Sequence, residues 1–110
     1  MAYALFFRHN VGHGLANALL LPYTIAYLAD DYPRKIPRLC SILGCDDVEL
    51  GLLNFNRRLN IPTSLSEAGI AETDLPGLAE CCQLNCARAL PRIKRKMDLQ
   101  DYSDILHRAF

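Results

Sequence analysis

Apolar residues recur along this chain at spacings of three and four, and nowhere alternate with polar ones over the length of a strand. The pattern predicts a first helix from Gly14 to Ala29, bent or interrupted at Pro22. A second begins near Pro33, places Ile36, Leu39, Cys40 and Leu43 on one face, and stops at Gly44. The third opens on "CDDVEL", with acidic side chains at the positive end of the helix dipole and Arg57 and Arg58 near the negative end. Val48, Leu52, Phe55 and Leu59 form its expected buried stripe. The segment "NIPTSLSEAGI" reads as a loop holding one helical turn. Thr73 or Asp74 then caps a fourth helix, whose Leu75, Leu78, Ala79, Cys82 and Cys86 share a face and which Pro91 ends or interrupts. Asp98 caps a last helix with Leu99, Tyr102, Leu106 and Ala109 inward. The expected fold is therefore all-α, a single domain of about five helices over residues 1–110, with no internal repeat and no dividing linker.

Size and composition agree with one globular core: 110 residues, 51% apolar and 22% charged. Twelve basic residues balance 12 acidic ones, so no net field favours nucleic acid or an anionic membrane. The basic run "RALPRIKRK", residues 88–96, has no interleaved aromatics and is offset by Asp98, Asp101 and Asp104; it reads as a solvated loop, with no nucleic-acid partner implied. The apolar stretch from Leu15 to Ala29 contains Asn17 and Pro22 and falls short of the ~20 residues a membrane span needs. The opening "MAYALFF" has no basic flank and too short an apolar run for a secretory leader. With an odd number of cysteines, five, the expected setting is a reducing cytoplasm.

Two residue types invite a metal. Cys40 and Cys45, and Cys82 and Cys86, stand close enough in sequence to suggest structural zinc. Cys40, Cys82 and Cys86 also fall on the apolar stripes, however, and free cysteine packs as a small hydrophobe, so core filling is the favoured reading. His9 and His13 are four apart, but the glycines flanking His13 argue against one continuous helix carrying both. A histidine just ahead of a helix can cap its free N–H groups or bind a ligand, and spacing does not choose between these. His107 suits the negative end of the last helix.

The segment "GHGLANALLLPY" resembles the metal-site signature of the iron-containing alcohol dehydrogenases, a histidine and glycine followed by x-A-N-A and L-L-P. "LNIPTSLSEAGIAETDLPGLAE" resembles that family's I-P-x-x-L-x-E-x-G-I block and D-L-P-x-L-A helix start, and "ALPRIKRKMDLQDYSDILHRAF" its closing pattern. Gly12 stands where the family usually has proline, and Leu90 where it has the asparagine of N-P-R. The resemblance implies a helical C-terminal domain of the dehydroquinate synthase-like fold. In that family iron, sometimes replaced by zinc, is held by one aspartate and three histidines, and NAD or NADP by a preceding α/β domain. By position His13 matches the last histidine ligand, while His9 matches a position that is not a ligand. No glycine-rich strand-to-helix turn is present to hold a pyrophosphate, so the dinucleotide-binding domain is expected to be absent from residues 1–110. A catalytic metal needs three or four protein ligands. One inherited ligand therefore predicts no stoichiometric metal and no catalysis by this chain alone. The rival reading is a non-catalytic helical interaction module.

Association is expected in either case. Leu15, Leu19, Leu20, Leu21, Ile25 and Leu28 surround most of the first helix, and Tyr3, Leu5, Phe6 and Phe7 add to them. Apolar surface of that extent, on a chain of zero net charge, predicts a homo-oligomer pairing residues 3–28, or contact with a missing N-terminal half.

Overall fold

Helix boundaries in this chain follow its capping residues closely. The computed structural model describes residues 1–86 and 96–110. Among these, the α-helices are α1 (Ala2–His9), α2 (His13–Tyr27), α3 (Lys35–Leu43), α4 (Val48–Arg58), α5 (Leu75–Cys86) and α6 (Leu99–Ala109), with no strand. Gly44, at φ 67°, ends α3, and the Cys45 amide donates back to the Cys40 carbonyl at 3.0 Å. Asp47 caps α4 by accepting from the Leu50 amide at 2.8 Å. Asn60, at φ 55°, closes the same helix with a 3.0 Å bond from the Ile61 amide to the Asn56 carbonyl. At α6, Asp98 and Asp101 each accept from the other's amide, at 3.0 and 2.7 Å, forming a reciprocal cap. The fourth expected helix starts differently: α5 continues from a 3₁₀ turn, Glu72–Asp74, so neither Thr73 nor Asp74 caps an isolated start.

The helix α1 is an addition to the elements that spacing predicts. Its eight residues offer too few turns to show a periodicity, yet Ala2, Ala4 and Leu5 are buried. Asn10 terminates it in the left-handed region, at φ 53°, which asparagine tolerates better than most residues. The helix α2 is the axis of the fold, packing on α1, α4 and α6, while α5 lies against α1 and α6 and α3 packs on α4. One core joins Leu5, Ala16, Leu19, Leu65, Leu75, Leu78, Tyr102, Ile105 and Leu106.

Pro22 does not interrupt α2, which runs through it to Tyr27. Proline has no N–H, so the Ala18 carbonyl one turn earlier loses its helical donor. The Asn56 side chain of α4 supplies one in its place, donating from Nδ2 to that carbonyl at 2.8 Å. Asn56 is the buried polar side chain among the described residues, and this bond explains its place in an apolar interface.

Several expected inward positions face water instead. Phe55 and Leu59 are exposed, and α4 buries Val48, Gly51, Leu52, Leu53 and Asn56, because its contact is split between α2 and α3. Leu99 is exposed where Ile105 is buried. Cys40, with the rest of the α3 stripe, is only half-buried, since α3 lies outside the central group. The loop after α4 is pinned to the end of α6: the Leu65 amide donates to the Ala109 carbonyl at 2.7 Å, and the Ser66 hydroxyl to the Phe110 carbonyl at 3.0 Å. Its expected helical turn is present and closes at Gly69, whose φ of 82° requires glycine. The Glu67 carboxylate accepts from the Thr63 amide at 2.7 Å and its hydroxyl at 3.3 Å, which holds its pKa below the usual carboxylate range.

Candidate functional site

His13 is the first residue of α2, and Gly12 is its N-cap in an extended conformation, so the imidazole sits at a helix start and takes no capping role. Its side chain is exposed. The flanking Gly12 and Gly14 border open space, since a Cβ at either would meet nothing within 4 Å. Behind the ring lies α1. The Tyr3 ring packs on His13 with centroids 4.8 Å apart, Phe7 stacks on Tyr3 at 6.2 Å, and Phe6 meets Phe7 edge-on at 5.3 Å. The result is an imidazole supported on one side by aromatic side chains and open on the other. Among the described residues, no side chain or backbone group hydrogen-bonds its ring nitrogens.

The other histidines are engaged elsewhere. His9 closes α1, and its Nε2 stands 3.9 Å from Asp74 Oδ2, tying α1 to the turn before α5. His9 and His13 therefore belong to separate helices, with Asn10 turning the chain between them. His107 Nδ1 lies 2.8 Å from the Ser103 carbonyl in the last turn of α6. Cys82 is core filler, with 1% of its surface exposed, whereas Cys40, Cys45 and Cys81 are half-buried. The Cys86 side chain, Pro91 and most of the basic run 88–96 lie outside the described residues.

His13 could serve as one metal ligand: among the described residues its ring nitrogens have no hydrogen-bond partner, and one side of the ring is open while Tyr3 packs on the other. Among the described residues, no group of three or more His, Cys, Asp or Glu side chains converges around it. Spacing alone passes over Tyr3 as a neighbour of His13. The available signal was the aromatic pair Tyr3 and Phe7, four apart, which shares a face once α1 is taken as helical. No helix among the described residues is long and apolar enough to cross a membrane.

Solved structures with this architecture define the class. Maleylacetate reductase from Rhizobium sp. strain MTP-10005 superposes with a TM-score of 0.83 at 30% identity, over 99% of this chain and 30% of that one. Maleylacetate reductase from Agrobacterium tumefaciens gives 0.79 at 32%, again over 99% of this chain and 30% of its own. The fold is thus shared with a helical part of these reductases, about 30% of each of their chains. More narrowly, the model of the Fe-containing alcohol dehydrogenase family, C-terminal, matches residues 1–110, and the chain belongs to that family. In sequence it is 34% identical to the Rhizobium maleylacetate reductase over 83% of this chain, and 29% identical to lactaldehyde reductase of Escherichia coli strain K12 over 100%. It spans 26% and 31% of the lengths of these two relatives.

Proposed function

We propose that residues 1–110 are the metal-side helical portion of an NAD(P)-dependent alcohol dehydrogenase or aldehyde reductase, with His13 as one of several ligands to iron or zinc. The observation that carries this reading is the open imidazole of His13 at the start of α2, in a chain matched along its whole length by the family's C-terminal region. A bound dication polarises the alcohol or carbonyl oxygen and stabilises the developing alkoxide. In this chain, His13 would hold the metal through a ring nitrogen, with the Tyr3 ring packed against it. Gly12 and Gly14 keep the approach clear of side chains, and Tyr3, Phe6 and Phe7 shed water from one flank. In this reading the remaining ligands and a dinucleotide-binding surface would be supplied by other polypeptide, since no group of three ligands converges among the described residues.

The association surface is narrower than the sequence suggests. Leu5, Leu19, Leu20 and Leu28 are consumed by the chain's own core, and Ile25 is half-buried. Tyr3, Phe6, Phe7, Leu15 and Leu21 remain exposed. Because Tyr3 packs on His13, the aromatic surface and the ligand are continuous. A polypeptide completing the coordination sphere would lie over both in this reading. A second copy of this chain is the competing occupant, and sedimentation separates them. Residues 1–110 are expected to sediment as a monomer with weak, concentration-dependent self-contact. A stable dimer abolished by Phe7→Asp would assign the surface to a second copy instead.

The catalytic reading is tested in the natural protein with any upstream sequence attached. NAD(P)H-dependent reduction of short aldehydes, with lactaldehyde as a probe, is expected to fall at least ~100-fold in His13→Ala, a loss of about 2.7 kcal/mol of transition-state stabilisation. Undiminished turnover in that variant would remove His13 from the site.

A further inference from the structure

The end of α3 holds two thiols in a position that has nothing to do with His13. The closing turn at Gly44 sends both the Gly44 and Cys45 amides back to the Cys40 carbonyl. That arrangement brings the side chain four places before Gly44 toward the one just after it, a contact ordinarily made by two hydrophobes. Here both are cysteines. Cys45 Sγ donates to the Cys40 carbonyl oxygen at 3.8 Å, which turns the Cys45 side chain back toward the residue that carries the other thiol. Behind Cys45 the α4 backbone approaches closely, since a Cβ on Gly51 would stand 2.3 Å from the Cys45 sulfur. In front, a cleft of about 420 Å3 lined by Ile36, Pro37, Cys40, Ser41, Cys45 and Asp46 opens on both.

We propose that Cys40 and Cys45 form a reversible oxidation site, closing a disulfide across the C-terminal cap of α3 when the chain meets a peroxide. Cys82 is sealed in the core, and its neighbour in sequence, Cys81, receives a contact from Asn85 Nδ2 at 3.3 Å. The chemistry balances with hydrogen peroxide as the oxidant. The Cys40 thiolate attacks one peroxide oxygen, the O–O bond breaks, and the leaving hydroxide takes a proton to become water. The Cys45 sulfur then attacks the Cys40 sulfur of the sulfenic acid, the S–S bond forms, the S–O bond breaks, and the leaving hydroxide takes the Cys45 thiol proton to depart as a second water. Two thiols lose two protons and two electrons, and one peroxide becomes two waters. Burial, followed by the neighbouring Cys40 and the carboxylates of Asp47 and Asp46, pushes the Cys45 thiol above its ordinary range.

Tryptic peptide mass spectrometry tests this on the intact reduced chain. Cleavage after Arg38 and Arg57 leaves both cysteines in one peptide, residues 39–57. After brief treatment with hydrogen peroxide, that peptide is expected to be lighter by two hydrogens and to resist alkylation, and dithiothreitol should restore it. Cys45→Ser should abolish the change and leave Cys40 as a sulfenic or further oxidised acid. Two alkylatable thiols after peroxide, independent oxidation of each to sulfonic acid, or linkage of either to Cys81 would each overturn the proposal.

Discussion

Replacing Leu5 with alanine is expected to destabilise the fold by about 2–5 kcal/mol, the range for removing a fully enclosed aliphatic side chain. Leu5 has 0% of its surface exposed and lies where α1 meets α2 and α5. The same helix provides its own control. Phe7 is larger but 73% exposed, and Phe7→Ala is expected to change stability by no more than about 0.5 kcal/mol. Urea unfolding followed by far-ultraviolet circular dichroism gives both values. Equal effects of the two substitutions would mean that α1 is not part of the core and that its apolar residues serve association alone.

Replacing Asn56 with leucine is expected to cost about 1–3 kcal/mol, because it leaves the Ala18 carbonyl without a donor inside the α2–α4 contact. The cause is specific to Pro22, which makes the effect conditional. In a Pro22→Ala background the restored N–H can bond that carbonyl within the helix, so Asn56→Leu should lose most of its cost. A double-mutant cycle reads this directly as a coupling between the two positions. Additive effects would show that Asn56 acts by some other contact.

How far such features were legible in the sequence depends on what sets each one. Caps made by a single side chain were readable, since Asp98 and Gly44 act on their own neighbours in the chain. Helices α2 to α6 were readable for the same reason, through repeats long enough to show a period. The helix α1 was not, because eight residues carry little periodicity and its stop signal is an asparagine in a left-handed turn. The Asn56–Ala18 bond was also hidden: it joins residues 38 apart and exists only because a proline sits in a helix that packs on α4. Burial within α4 and α6 departs from the expected stripe at Phe55, Leu59 and Leu99, because periodicity defines a stripe and only the neighbouring helices decide its width. As for the candidate site, the motif around His13 was visible, but its packing against Tyr3 was not. That contact depends on the turn at Asn10 folding α1 back beside the start of α2.

The central claim is that His13 is a metal ligand whose site is completed outside residues 1–110. Elemental analysis by inductively coupled plasma mass spectrometry tests it most directly, applied to residues 1–110 alone and to the natural protein with any upstream sequence intact. Residues 1–110 alone are expected to hold no stoichiometric iron or zinc. The longer protein should hold close to one metal per chain, lost in His13→Ala without loss of folded structure. Stoichiometric metal bound by residues 1–110 alone, or metal retained by the longer protein after His13→Ala, would contradict it.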